Sequence, residues 1–248
     1  MSGESVSAPG FYGKVPALGD FVTRRLTRQF IDPWDDWLQN AMACSREQLG
    51  EAWLNSYLTS PLWRFALTAG ACGTAPRAGV MMPSVDRVGR YFPLTITHEL
   101  PAGSNPIGLM LSATDWYARS EALVLSALEE NGFNLDDFDA QVEQLGAPAM
   151  PEAHCASALN AAGQNAWHLP LTGALVADDV ACLAQQLIGE RFSSYSLWWT
   201  EGSEQVPPCL LVCQGLPPIQ GFASMLGSAW ETRVWHIAAA DQTDEAAR

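Results

Sequence analysis

The sequence predicts an α/β fold, a layered sheet with packed helices, and three observations lead to it. Strand-like and helix-like patterns alternate from residue 10 to residue 240, with no internal repeat. The composition supplies a large core: 48% of the 248 residues are hydrophobic and ten are tryptophan. Only 16% are charged, against roughly 25% in an average soluble domain, which excludes an intrinsically disordered chain. Residues 10–240 therefore read as a single domain, preceded by a disordered stretch (1–9) and followed by a frayed polar tail (241–248).

The elements follow in order. Gly10–Val15 reads as a strand, closed by Pro16 and the Gly19–Asp20 turn pair. Asp32 before Pro33 predicts a helix start, because a proline at the first helical position forfeits only an amide that has no partner there. Trp34, Trp37, Leu38, Ala41 and Met42 then recur at helical spacing. Ser45 with Gln48 suggests a capping box for a second helix through Trp53, Leu54 and Leu58. Strands are expected at 62–67, 78–82 and 91–98, with the polar loop 84–90 between the last two.

Asp115 is expected to cap a helix running to about Glu130, with Asn131–Gly132 ending it. Residues 147–163, rich in Ala, Pro and small polar residues, read as a long loop. A helix begins at Asp178–Asp179 with Val180, Leu183, Ala184, Leu187 and Ile188 as its apolar stripe. Strands at 195–200 and 210–213 follow, the second apolar on consecutive residues and so expected to be covered on both faces. Trp198 and Trp199 must point to opposite faces of theirs. Pro217–Pro218 lead into a last helix through Phe222, Met225 and Leu226.

Thirteen Lys and Arg against 27 Asp and Glu leave a net charge of −14, which argues against nucleic acid or an anionic membrane surface as a partner. The charge is uneven: residues 1–90 hold nine basic and eight acidic side chains. The acids crowded between Glu129 and Glu143 read as a solvated helical face, or as an acidic docking surface. The N-terminus lacks a signal-peptide pattern and no apolar run reaches the ~18 residues of a membrane helix, so a cytoplasmic protein without an integral membrane segment is expected. Six scattered cysteines read as reduced and mostly buried.

Enzymatic templates fail. Phosphate-loop, dinucleotide, nucleophile-elbow, HExxH and CxxC patterns are all absent, and the four histidines have no second ligand at helical spacing. The expectation is a non-enzyme with no metal and no cofactor. The most informative segment is Pro83–Arg90, which sets Ser84, Asp86, Arg87 and Arg90 in a loop between apolar strands. An Asp86–Arg90 salt bridge would simply tie the loop down; alternatively the arginines offer their planar forks to a carboxylate or phosphate on a partner. A second cluster holds Lys14, the one lysine of the chain, with Asp20, Arg24 and Arg25. Lys14 reads by default as a solvated blocker of a strand edge, with a reactive amine as the alternative.

Several segments together carry a family resemblance: Gly13–Leu26 (GKVPALGDFVTRRL), Trp34–Leu38 (WDDWL), Ser60–Leu67 (SPLWRFAL) with Cys72–Gly73, and Gly79–Leu94 (GVMMPSVDRVGRYFPL). Ser196–Thr200 (SLWWT) and the Gly215-to-Phe222 segment extend it. This set resembles TagF, the type VI secretion-associated regulator family. The resemblance implies a three-layer α/β/α sandwich around a mostly buried mixed sheet. It also implies a cytoplasmic, non-enzymatic repressor that acts after translation by binding the forkhead-associated-domain scaffold protein and blocking assembly or firing of the apparatus. It supplies no catalytic residues. Candidate partner-binding residues are the motif positions Lys14, Asp20, Arg24, Arg64, Ser84, Asp86, Arg87 and Arg90. The competing readings are an anion or small-ligand sensor or enzyme using the Ser84–Arg90 loop, and a structural subunit of the apparatus.

Overall fold

The computed structural model describes residues 8–129, 132–150, 176–227, 230 and 234–236. The expected tail at 241–248, nearly all of the expected disordered N-terminus, and most of the expected 147–163 loop lie outside them.

Among the described residues seven strands form one sheet: β1 (Gly10–Gly13), β2 (Val22–Arg24), β3 (Trp63–Leu67), β4 (Arg77–Met82), β5 (Leu94–Glu99), β6 (Tyr195–Thr200) and β7 (Cys209–Gln214). Their spatial order is β2-β1-β5-β4-β3-β6-β7. Every pairing is antiparallel, which corrects the expected mixed sheet. The helices do not alternate singly with strands; they come in blocks, α1 (Arg28–Leu49) and α2 (Trp53–Leu58) after β2, then α3 (Pro106–Ser112), α4 (Thr114–Ser126), α5 (Leu135–Gln144) and α6 (Ala177–Arg191) after β5, with α7 (Phe222–Leu226) last. No single helix thus returns a strand parallel to its predecessor, as a βαβ unit would.

Alternation along the strands builds two apolar cores. Trp63, Phe65 and Leu67 of β3 join one core with Trp34, Trp37 and Leu38 of α1, while Ala66 joins the other with Trp116, Tyr117 and Val124 of α4. Trp198 and Trp199 divide in the same way, as their adjacency requires. In the first core Trp34 packs on Phe65 with ring centroids 5.0 Å apart and stacks with Trp198 at 5.8 Å. Gly79 makes room for this cluster, since a Cβ there would stand 2.3 Å from the Phe65 ring. Three of this core's buried indoles are also satisfied: Trp34 donates to Thr95 Oγ1, Trp37 to the Pro217 carbonyl and Trp63 to the Met225 carbonyl.

Several local expectations change. Helix α1 starts at Arg28 behind Thr27, not at Asp32, and Pro33 lies inside it. That proline sits near the helix start and removes only the bond its amide would have given the Gln29 carbonyl, a loss offset by the buried face of Phe30, Trp34, Trp37 and Leu38. Ser45 caps nothing: it is buried within α1, donates to the Met42 carbonyl and accepts the Trp53 indole N–H. Helix α4 stops at Ser126 rather than near Glu130. Strand β2 and helix α3 were not anticipated, although Asn105 before Pro106 is a readable cap whose Oδ1 accepts two amides. Strand β7 is not covered on both faces among the described residues. It is an edge strand with Leu211 and Cys213 buried and Leu210 50% exposed. Cys44, Cys72, Cys209 and Cys213 are free, but Cys182 is disulfide-bonded, which corrects the expectation of a fully reduced set. No helix among the described residues is long and apolar enough to cross a membrane.

Candidate functional site

The loop between β4 and β5 is a turn organised by one carboxylate. Asp86 Oδ1 accepts the Val88 and Arg90 amides, and its own amide donates to the Arg90 carbonyl. Gly89 completes the turn with φ +84°, a conformation that a side chain disfavours. Asp86 Oδ2 accepts the Lys14 ammonium at 2.9 Å and the Arg90 Nε at 2.7 Å. Four donors thus converge on a carboxylate whose side chain is 0% exposed. Burial by itself would raise the Asp86 pKa; the Arg90 amide, the Lys14 and Arg90 side chains and the Val88 amide outweigh it and hold the carboxyl well below the usual range.

The loop is anchored from beneath. Ser84 is buried and donates to the Lys14 carbonyl at 2.7 Å, while Tyr57 Oη donates to the Ser84 carbonyl and accepts its amide. Its burial pushes the Tyr57 phenol well above its ordinary range and keeps it a neutral donor. From the β1 side, Arg87 donates its amide to the Leu18 carbonyl and Arg90 donates Nη2 to the Gly19 carbonyl. Lys14 also lies over the Phe21 ring, 4.9 Å from its centroid. Phe21 is half-exposed and stacks with Tyr12.

The candidate residues therefore divide. Lys14, Ser84, Asp86, Arg87 and Arg90 are brought together, with Asp20 beside them on the Gly19 turn. Within this group Lys14, Ser84 and Asp86 are buried supports, so Lys14 is neither a solvated edge blocker nor an open amine. Asp20 is exposed and its carboxylate accepts the Phe21 amide. Arg87 is exposed, and its guanidinium makes no hydrogen bond or ion pair to any described residue. The expected Asp86–Arg90 bridge is present, and Arg90 remains 57% exposed beyond it.

Arg24 and Arg64 belong elsewhere. Arg24 faces Asp139 of α5, which Arg25 also engages, so part of the acidic stretch serves the fold. Arg64 gives Nε and Nη2 to both oxygens of Glu121 and Nη2 again to Glu201, with only 12% of its side chain exposed. Its fork is taken up internally. Tyr57 and Phe21 were missed because an aromatic in an apolar pattern reads as core whether or not its polar tip holds a loop. Among the described residues no cluster of His, Cys, Asp and Glu could hold a metal ion.

The cluster of buried Lys14 and Asp86 beneath exposed arginines lies wholly within a segment that other proteins share. Residues 10–145 match the family described as the TagF N-terminal domain, type VI secretion system-associated. The crystal structure of PA0076 from Pseudomonas aeruginosa PAO1 is similar over 94% of this chain and 99% of that one, with 40% sequence identity and a TM-score of 0.78. No curated protein matches the chain.

Proposed function

The chain belongs to the TagF family of type VI secretion-associated proteins, and on that premise we propose that it is a post-translational negative regulator of type VI secretion. It acts by binding: it sequesters the forkhead-associated-domain scaffold protein and blocks assembly or firing of the apparatus, without catalysis. The observation that carries this reading is the 84–90 loop, where a buried ion pair holds a turn whose Arg87 guanidinium has no hydrogen bond or ion pair to a described residue. A rigid loop with open guanidinium donors loses little conformational freedom on docking, and arginine is among the residues that dominate interface energies. Helices contributing to cores on both faces of the sheet support a three-layer α/β/α arrangement. We also propose a cytoplasmic location, which the four free cysteines among the described residues support.

Co-purification of the full chain with the scaffold protein tests the reading. Binding that Arg87→Ala abolishes while the circular-dichroism spectrum is unchanged supports it. Two folded proteins that do not associate overturn it. Saturable stabilisation by a phosphorylated metabolite, without scaffold binding, would point to a small-ligand sensor instead.

A further inference from the structure

We propose that the open cleft between the end of α1 and the 84–90 loop receives an acidic polypeptide segment of the partner. The cleft is about 480 Å³ and is lined by Arg46, Trp53, Leu54, Gly89, Arg90 and Tyr91: two guanidiniums and two aromatic rings, with no carboxylate among them. The proposal rests on the binding role argued above and names the chemistry of what is bound.

The charge pattern of the chain selects an anionic occupant. In a protein with 27 acids most described arginines sit on a carboxylate: Arg24 and Arg25 on Asp139, Arg64 on Glu121 and Glu201, Arg77 on Glu99. Arg28 faces Asp32 in the same way. Arg46, Arg87, Arg119 and Arg191 do not; of these, Arg46 lines the cleft with Arg90, and Arg87 lies three residues back along the same loop. The Arg46 Cζ sits over the Trp53 ring, 4.2 Å from its centroid, a contact that uses none of the guanidinium's donors. Arg90 is aimed by Asp86 through Nε and by the Gly19 carbonyl through Nη2.

The apolar surroundings select a polypeptide over a free anion. Leu54 is 43% exposed in the cleft wall, and Val88 at the loop tip is 65% exposed. Trp53 and Tyr91 meet edge to face at 5.6 Å and form the floor. Arginine forks beside exposed apolar and aromatic surface suit carboxylates carried on a chain with apolar neighbours.

The test uses the full chain and a fluorescein-labelled, glutamate-rich octapeptide with a leucine pair at its centre. Saturable binding by fluorescence anisotropy at low salt is expected, weakened about tenfold by Arg46→Gln and unchanged by Arg191→Gln, which alters an unpaired arginine on α6. The Arg46 guanidinium makes no hydrogen bond or ion pair to a described residue, so the variant is expected to fold, and its unfolding midpoint checks this. Absence of binding, equal binding by Arg46→Gln, equal binding of a glutamine octapeptide, or displacement by inorganic phosphate at millimolar concentration would overturn the inference. The scaffold itself separates the two proposals. Scaffold binding that Arg46→Gln leaves intact removes the cleft and keeps the regulator; octapeptide binding without scaffold binding does the reverse.

Discussion

Two arginine clusters of this protein differ in what their carboxylates do. Around Arg64 the carboxylates of Glu121 and Glu201 meet the guanidinium directly and take up its Nε and Nη2 donors. In the 84–90 loop Asp86 is turned inward, satisfied by Lys14 and by backbone amides, so that Arg90 is steered rather than neutralised and Arg87 is left outward. The same residue type in the same family segment is structural in one place and available in the other. The number of donors still open after folding distinguishes them.

The comparison can be broken most sharply at Asp86. Asp86→Ala leaves the Lys14 ammonium buried without a partner and removes the acceptor that organises the turn. A loss of about 3–5 kcal/mol is expected in urea unfolding, and a loss below about 1 kcal/mol would show that the loop does not depend on this pair.

His98 is the counterpart without a partner, buried on β5 with no acceptor or donor for Nδ1 among the described residues. Its burial, helped by the nearby Arg77 charge, lowers its pKa from the ordinary 6.5 to about 4. Between those values the unfolded chain binds a proton that the folded chain does not, so stability rises with pH across that window and is lost as pH falls through it. The expected slope is at most about 1.4 kcal/mol per pH unit, and His98→Asn should flatten it in urea titrations at several pH values.

Arg64→Ala sharpens the contrast from the other side. It strands Glu121 and is expected to cost about 1–3 kcal/mol while leaving scaffold binding intact once the variant is folded. Lost binding at unchanged stability would move Arg64 into the interface. The smallest effect on stability is expected at Arg87: Arg87→Ala should shift it by no more than about 0.5 kcal/mol, read from the same unfolding curves, while scaffold co-purification fails.

Much of this was legible locally. The apolar stripe from Trp34 to Met42, the opposed faces of Trp198 and Trp199, and the polar loop between β4 and β5 all follow from periodicity within a few residues. The start of α1 was displaced because Pro33 resembles a first-turn proline, and a buried aromatic face outweighs one missing amide bond. The site was half legible. Ser84, Asp86 and Arg90 stand close enough in sequence to suggest one turn, but nothing near Lys14 announces a partner 72 residues away.

Side-chain chemistry and its local spacing establish which segments are apolar on one face, which loop carries excess polar groups, and that the chain has few cations to spare. They do not establish which charges meet. That Lys14 is buried against Asp86, that Arg64 is consumed by Glu121, and that Arg46 reaches the same cleft as Arg90 depend on an antiparallel strand order that brings distant segments together. Burial then removes competing water and leaves each charge only the partners that the sheet supplies.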